Sequence, residues 1–169
     1  MRLIRVGPNA IFHRFHAPDW AHLPTSGAGA AVNGGRFNRP VVEAPYLSIE
    51  PETALVEYRQ GATITPPGTL VAYHVDVDSV VDFSGSYDRE TWPDDWAEAG
   101  CDWKYIARIE ARDPPTWRIG DRLIRDGVKG LLFPSYRSSG GTNIVVFSAN
   151  LGPDDRVAPY DPSGVLHRD

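Results

Sequence analysis

A glycine-rich segment, Gly34-Gly35-Arg36-Phe37-Asn38, places a guanidinium directly after two glycines. Adjacent glycines allow the backbone to approach a ligand closely, and an arginine can hold a phosphate or diphosphate through parallel hydrogen bonds. Phe37 could then flank a ring of the same ligand. Glycine and asparagine also serve ordinary surface turns. The segment by itself therefore predicts either an anion-binding loop or a turn.

Glu57 is the carboxylate best placed for chemistry. It lies in Thr53-Ala54-Leu55-Val56-Glu57-Tyr58, where the neighbouring positions are mainly apolar, so the pattern predicts a helix with this carboxylate beside a cleft. A partly solvated glutamate paired with Arg14, Arg36 or Arg59 also fits the pattern.

Two further side chains could contact a small ligand. Tyr46, in a short apolar strand, could pack against a nicotinamide or adenine ring, or it could belong to the core. Ser135 follows Phe133-Pro134 at a strand end, where its hydroxyl could bind a phosphate or ribose oxygen or could form a turn.

Other groupings of polar side chains give weaker signals. The spacing of His13, His16 and His22 matches no strong zinc pattern, so no metal site is expected. Asp94-Asp95 resembles the acid pair of a glycan hydrolase only superficially, because adjacent residues seldom flank one bond from opposite sides.

The composition is that of a folded protein with one domain. The chain has 169 residues, of which 41% are hydrophobic and 23% charged, and this length allows one substantial core. The formal charge is -5 and no Lys/Arg-rich run occurs, so a nucleic acid is not an expected partner. An acidic chain can still hold a local basic pocket.

Cysteine content and hydropathy indicate the cellular compartment in which the protein is expected. The single cysteine, Cys101, excludes an internal disulfide framework and a multi-thiolate metal site within one chain. No apolar run is long enough for a signal peptide or a membrane helix. We therefore expect a cytoplasmic protein that does not bind membranes.

Short elements must position these side chains. Apolar patterning predicts strands over residues 11–15, 45–49, 69–77, 130–134 and 143–148, and helices over residues 50–59 and 117–125. Residues 24–40 are expected to form a long ordered loop, and such a loop favours a functional role. Residues 87–103 suggest a loop followed by helical character, and the tail after Asn150 suggests coil.

In this order, these pieces resemble the RES-domain family, which is named for its Arg, Glu and Ser. The family pattern has a Gly-Arg-aromatic-Asn loop, a tyrosine in a strand, a glutamate in the following helix and a later Pro-Ser. The matching residues here are Gly35-Arg36-Phe37-Asn38, Tyr46, Glu57 and Pro134-Ser135. Further agreement comes from Phe12-His13-Arg14, Ile119-Gly120-Asp121 and Asn143.

The resemblance covers residues 10–151 and predicts a single RES domain over residues 1–169, with residues 152–169 as a C-terminal tail. It implies a mixed α+β fold like that of ADP-ribosyltransferase toxins. In that fold small antiparallel sheets pack together with flanking helices, and an NAD cleft lies between them.

The resemblance also implies an activity and a partner. The protein would be the toxin of a toxin–antitoxin pair that cleaves the nicotinamide–ribose bond of NAD by hydrolysis or phosphorolysis, depleting NAD and arresting growth. A cognate antitoxin protein would block the cleft. NAD is then the substrate, and no metal is needed.

Breaking that bond builds positive charge on the ribose, which a fixed carboxylate stabilises. We expect Glu57 and Arg36 to be catalytic, with the carboxylate facing the ribose and the guanidinium clamping the diphosphate. Arg14 would supply a second cation to the substrate. The other predicted substrate-binding residues are Tyr46, Ser135, Phe37 and Asn143.

Two other functions stay open. A protein ADP-ribosyltransferase would use the same cleft and pass through the same cation, but would deliver ADP-ribose to a protein acceptor. A non-catalytic binding module would dock a partner through the aromatic region that holds Trp92, Trp96 and Trp103.

Overall fold

A computed structural model describes residues 1–20, 24, 26–85 and 87–163. Its six strands are β1 (Leu3–His16), β2 (Tyr46–Ser48), β3 (Thr69–Asp82), β4 (Gly130–Pro134), β5 (Thr142–Val146) and β6 (Arg156–Pro159). Its four α-helices are α1 (Ala28–Asn33), α2 (Pro51–Arg59), α3 (Trp103–Arg108) and α4 (Pro115–Arg125). Short 3-10 helices cover Pro18–Trp20, Asp94–Glu98 and Ser148–Asn150.

The strands form one sheet in the order β1-β2-β5-β4-β3-β6, and β1 also pairs with β3, so that the sheet closes on itself. The β3–β4 pair is parallel, whereas the other pairs are antiparallel. The mixed α+β class with flanking helices is confirmed. Instead of separate small sheets packed together, the described strands share one continuous sheet.

The two faces of the sheet form separate hydrophobic clusters. Successive residues of a strand point to opposite faces, so Ile144 and Val146 join one cluster while Val145 joins the other. The buried residues of one cluster all lie in strands, and Tyr73, Val75 and Val77 contribute to it from a single face of β3. The other cluster packs α4 and the tryptophan-containing segment against the sheet.

Several predicted element boundaries need correction. The region 24–40 contains α1 and is not a continuous loop, and β1 and β3 extend well beyond the predicted strands. The tail is not all coil, because β6 pairs with β3 through Asp76↔Arg156 and Val75↔Val157. A strand of four residues that ends in proline gives little periodicity, and its pairing partner lies far away in the chain.

None of the helices in the described ranges is long and apolar enough to cross a lipid bilayer.

Candidate active site

A cavity of about 400 Å³ opens between the helices α1, α2 and α3 and the strands β1, β2, β4 and β5. This volume lies in the range of small-molecule sites. The predicted catalytic pair, Arg36 and Glu57, lines this same cavity. Arg14, Tyr46 and Asn143 line it as well, so most of the predicted site residues meet in one place.

Helix α2 presents Glu57 to the cavity. Thr53 and Ala54 are buried in the first half of this helix, and residues three or four positions apart share a helix face, so Glu57 projects from the packed side. Its Oε1 accepts hydrogen bonds from the Ser135 hydroxyl and the Asn143 amide, both at 2.8 Å. These two donors come from different strand ends and anchor Oε1 in the cavity.

A second layer of contacts fixes Asn143. Strands β2 and β5 pair with Ser48 opposite Asn143, and the Ser48 hydroxyl donates to the Asn143 Oδ1 at 2.7 Å. Because Oδ1 accepts this bond, the amide nitrogen is the atom directed at Glu57. Both Ser48 and Asn143 are buried, so the chain from strand to carboxylate is protected from solvent.

The loop that carries Arg36 is fixed by its neighbours. The Trp117 indole donates to the Gly35 carbonyl at 2.8 Å, and the Tyr46 hydroxyl accepts from the Phe37 backbone N–H at 2.9 Å. Gly35 lies so close to the Tyr46 ring that a Cβ would be 2.5 Å from its hydroxyl oxygen. Only glycine fits at this position, which accounts for one of the paired glycines.

Arg36 enters the cavity as a largely desolvated cation. Its Nη1 donates to the carbonyls of Ala99 and Cys101 at 2.9 and 2.8 Å, and its Cζ lies 4.4 Å from the centroid of the Tyr136 ring. Burial lowers the pKa of Arg36, and Tyr136 is the largest opposing influence. The side chain remains a cation, because a guanidinium is not deprotonated in proteins.

Basic side chains dominate the cavity wall. Among the described residues that line it, the lysines and arginines are Arg14, Arg36, Lys104, Arg108 and Arg137, and the carboxylate is Glu57. Burial lowers the pKa of Lys104, with Arg137 and Arg108 adding to the effect. The local charge therefore favours an anionic ligand, although the chain as a whole carries a charge of -5.

Comparisons with known proteins show which family and which solved fold this chain matches. The RES domain family model matches residues 11–169. The chain belongs to the RES domain family. No curated protein matches. Among solved structures, the M.tuberculosis MbcT-MbcA toxin-antitoxin complex contains a chain with a similar fold, at a TM-score of 0.63 and 22% identity. The match covers 93% of this chain and 84% of that chain.

Two predicted substrate contacts of this RES domain need correction. The Phe37 side chain is fully buried and packs edge-on against Phe133 at 4.9 Å, so its ring belongs to the core. The Ser135 hydroxyl donates to Glu57 and accepts from the backbone N–H groups of Arg137 and Ser138, so it positions the carboxylate. Neither side chain lines the cavity.

Tyr46 lines the cavity of the RES domain but also has a structural role. Its hydroxyl donates to the Asn38 Oδ1 at 2.8 Å, and its ring meets Phe133 edge-on. Burial raises the pKa of Tyr46 above its usual range, so the phenol stays protonated. Stacking of this ring on a ligand stays a prediction.

Sequence reasoning missed four basic and aromatic residues of the cavity lining, which are Lys104, Arg108, Tyr136 and Arg137. Arg137 lies 3.8 Å from the second Glu57 oxygen, Oε2, through its Nε. The signal available in the sequence was proximity: Tyr136 and Arg137 directly follow Ser135, which the motif had already singled out.

The histidines have separate partners in this RES domain. His13 Nδ1 lies 2.8 Å from the Ile49 carbonyl, while His16 Nε2 lies 2.5 Å from the Tyr73 hydroxyl. His22 lies outside the described residues. Within the described ranges, no three His, Cys, Asp or Glu side chains come together as a metal site.

The tryptophans and the acid pair also have structural roles. Trp92 and Trp96 are buried with ring centroids 4.6 Å apart, so they do not form an exposed docking patch. Trp103 lines the cavity. The two acids have arginine partners, since Asp94 lies near Arg89 and Asp95 pairs with Arg122.

Proposed function

We propose that this RES domain is the toxin of a toxin–antitoxin pair and that it cleaves the nicotinamide–ribose bond of NAD. The observation that carries the proposal is the cavity that a doubly anchored carboxylate, Glu57, lines together with five lysine and arginine side chains. The bridging diphosphate of NAD is anionic, and its ribose becomes cationic as the bond breaks. The cavity offers complementary charge to both.

Arg36 is the proposed diphosphate ligand. Its hydrogen bonds to backbone carbonyls use Nη1, so the Nε and Nη2 protons can form the two parallel bonds that suit a phosphate. Arg14 supplies a second cation beside α1, where its Nη1 donates to the Ser26 carbonyl at 3.1 Å. Together these cations would anchor the substrate away from the reacting bond.

Glu57 is the proposed catalytic carboxylate. When the bond between nicotinamide nitrogen and ribose C1′ breaks, the electron pair leaves with neutral nicotinamide and positive charge develops on the ribose. A carboxylate held by Ser135 and Asn143 stabilises that charge without having to reorient during the reaction. A nucleophile then bonds to C1′, and its proton passes to a base or to solvent.

The proposed partner is a cognate antitoxin protein that closes the cavity. The M.tuberculosis structure with a similar fold is a toxin-antitoxin complex, which supports a partner of this kind. The partner would suppress the activity by excluding NAD, so its addition should raise the NAD concentration needed for turnover.

The Glu57→Gln substitution tests the proposal. It keeps the side-chain shape but removes the charge that stabilises the ribose cation, so we expect turnover to fall about 100-fold or more while NAD still binds. Nicotinamide release and calorimetric NAD binding measure the two effects. In a bacterial host, the wild-type chain should arrest growth and Glu57→Gln should not.

Glu52→Gln is the matched control, because Glu52 lies on the same helix but is exposed and outside the cavity lining. It should behave as wild type in every assay. A folded Glu57→Gln protein that releases nicotinamide at the wild-type rate would refute the proposed role of Glu57.

The product assay also identifies the acceptor of ADP-ribose. Reactions with and without inorganic phosphate separate hydrolysis from phosphorolysis by the ribose product. Labelled NAD incubated with the protein and a cell lysate reports transfer to a polypeptide. Label on a polypeptide would favour the protein ADP-ribosyltransferase over the NAD-degrading enzyme.

A further inference from the structure

One face and one corner of the Arg36 guanidinium are already occupied by the protein. The carbonyls of Ala99 and Cys101 accept from Nη1, and the Tyr136 ring lies over the guanidinium at 4.4 Å. Hydrogen bonds at Nη1 locate the group but leave it free to tilt. A ring against its face restricts that tilt, because a cation and an aromatic face attract each other.

Tyr136 has little to do with the hydrophobic core. Its side chain is 40% exposed and belongs to neither buried cluster. Packing in the core therefore does not account for its position. Its contacts point to the cavity instead, since it lines the cavity together with Arg36.

The backbone around Tyr136 is built to hold the ring in this place. On one side, the preceding Ser135 accepts hydrogen bonds from two backbone N–H groups and thereby fixes the turn. On the other side, the ring lies against Gly100, where an added Cβ would be 2.9 Å from its Cε1. Gly100 sits between the two residues whose carbonyls hold Arg36, so one short segment supports both the ring and the guanidinium.

We infer that Tyr136 is a positioning residue for Arg36: its ring, seated on Gly100, sets the plane of the guanidinium and leaves the Nε and Nη2 edge for the ligand's phosphates. The inference rests on the proposed function, because the orientation of the guanidinium matters only if Arg36 binds the diphosphate of NAD. It goes beyond that function by adding a residue outside the motif that identified the site.

The same turn contacts both members of the proposed catalytic pair. Ser135 donates to Glu57, Tyr136 covers Arg36, and Arg137 lies near the second Glu57 oxygen. These three consecutive residues follow β4 directly. The turn therefore sets the separation between the group that binds phosphate and the carboxylate that faces the sugar.

The experiment compares Tyr136→Leu, which keeps an apolar side chain but removes the aromatic face, with Tyr136→Phe, which keeps the face. We expect Tyr136→Leu to raise the KM for NAD about tenfold with a much smaller change in kcat, because the loss concerns substrate binding through Arg36. Tyr136→Phe should retain the wild-type KM for NAD, because the aromatic face is still present. The matched control is Tyr105→Leu, since Tyr105 is an exposed tyrosine on α3 outside the cavity lining.

Proton exchange at the Arg36 side chain gives a readout that needs no turnover. It is followed by nitrogen NMR in the wild type, Tyr136→Leu and Tyr136→Phe. Tyr136→Leu should accelerate this exchange, and Tyr136→Phe should not. Wild-type KM and exchange in Tyr136→Leu, or equal damage from Leu and Phe, would overturn the inference. If wild-type protein neither binds nor consumes NAD, the proposed function fails, and the exchange measurement still decides whether Tyr136 orders Arg36.

Discussion

At the scale of single residues, the site works by anchoring charges through uncharged neighbours. Glu57 is held by a hydroxyl and an amide, and Arg36 by two carbonyls and a ring. Neutral partners fix the orientation of these groups without cancelling their charge, as the proposed chemistry requires. The exception is Arg137, whose Nε lies 3.8 Å from Glu57, longer than a hydrogen bond.

Asn143→Ala should separate orientation from charge at Glu57. The substitution removes one of the two donors to Oε1, so the carboxylate keeps its charge but gains freedom to rotate. We expect kcat to fall about tenfold or more, since preorganised charge accounts for much of enzymatic stabilisation, while the KM for NAD changes little. Steady-state nicotinamide release provides both constants.

Ser48→Ala gives the graded comparison, because it removes only the bond that orients the Asn143 amide. Its effect on kcat should lie between those of wild type and Asn143→Ala. If Asn143→Ala instead changed KM alone, Asn143 would be a ligand for NAD and not a support for Glu57.

At the scale of elements, helix α4 holds the Arg36 loop against the sheet. Trp117 donates to the Gly35 carbonyl, and Asp121 pairs with Arg39 at 2.7 Å. Between them, Gly120 lets the loop backbone lie directly on the helix, because a Cβ there would overlap the Phe37 carbonyl. The amphipathic α4 thus has one face in the core and a second contact that shapes the Arg36 loop.

Gly120→Ala should therefore disturb both stability and substrate binding. The methyl group forces the helix and loop apart, at a cost of about 1–3 kcal/mol in the free energy of unfolding, and moves Arg36 away from its carbonyl partners. We expect a lower Tm and a raised KM for NAD, measured by thermal unfolding and steady-state kinetics.

Gly85→Ala is the control for Gly120→Ala, because an added Cβ at Gly85 meets no atom within 4 Å and its φ lies outside the left-handed region. Its Tm and KM should stay near wild type. A Gly120→Ala protein with unchanged Tm would mean that the helix and loop are not in contact as described.

At the scale of the whole molecule, closure of the sheet depends on the long pairing of β1 with β3, and a buried polar pair lies within it. His16 on β1 is 3% exposed and lies 2.5 Å from the hydroxyl of Tyr73 on β3, which donates to the Pro24 carbonyl. The hydroxyl proton is therefore committed to Pro24, so the imidazole donates through Nε2. Burial, with a smaller effect from Arg14, lowers the pKa of His16 to about 4.

This lowered pKa predicts how stability depends on pH. Since an unfolded histidine has its pKa near 6.5, the unfolded chain binds the extra proton between that pH and about 4, and the folded state loses stability as the pH falls through this window. Above it, the contribution of His16 is fully present. Acidification from pH 7 to pH 5 should lower the free energy of unfolding by about 2 kcal/mol through protonation of His16 in the unfolded chain.

His16→Gln removes the titrating group but keeps a donor for Tyr73. Urea unfolding at pH 7 and pH 5 should show a smaller loss of stability on acidification in His16→Gln than in wild type. Equal losses in the two proteins would show that the acid sensitivity comes from other groups.

The amino-acid sequence by itself determined much of the secondary structure and the family of this protein. Alternation in β3 and the apolar patterns of α2 and α4 are local, so neighbouring residues suffice to predict them. The spacing of Arg36, Tyr46, Glu57 and Ser135 predicted the family, which the comparison confirmed. The catalytic and binding roles of these residues stay predictions.

Only the tertiary structure decided which way side chains point and which distant residues meet. The sequence contains Phe37 and Tyr46 as equal candidates, but packing places one ring in the core and the other at the cavity. The pairing of β6 with β3, and the meeting of Lys104, Arg137 and Glu57 at one cavity, join segments far apart in the chain. Local periodicity contains no information about such contacts, because they depend on how the whole chain packs.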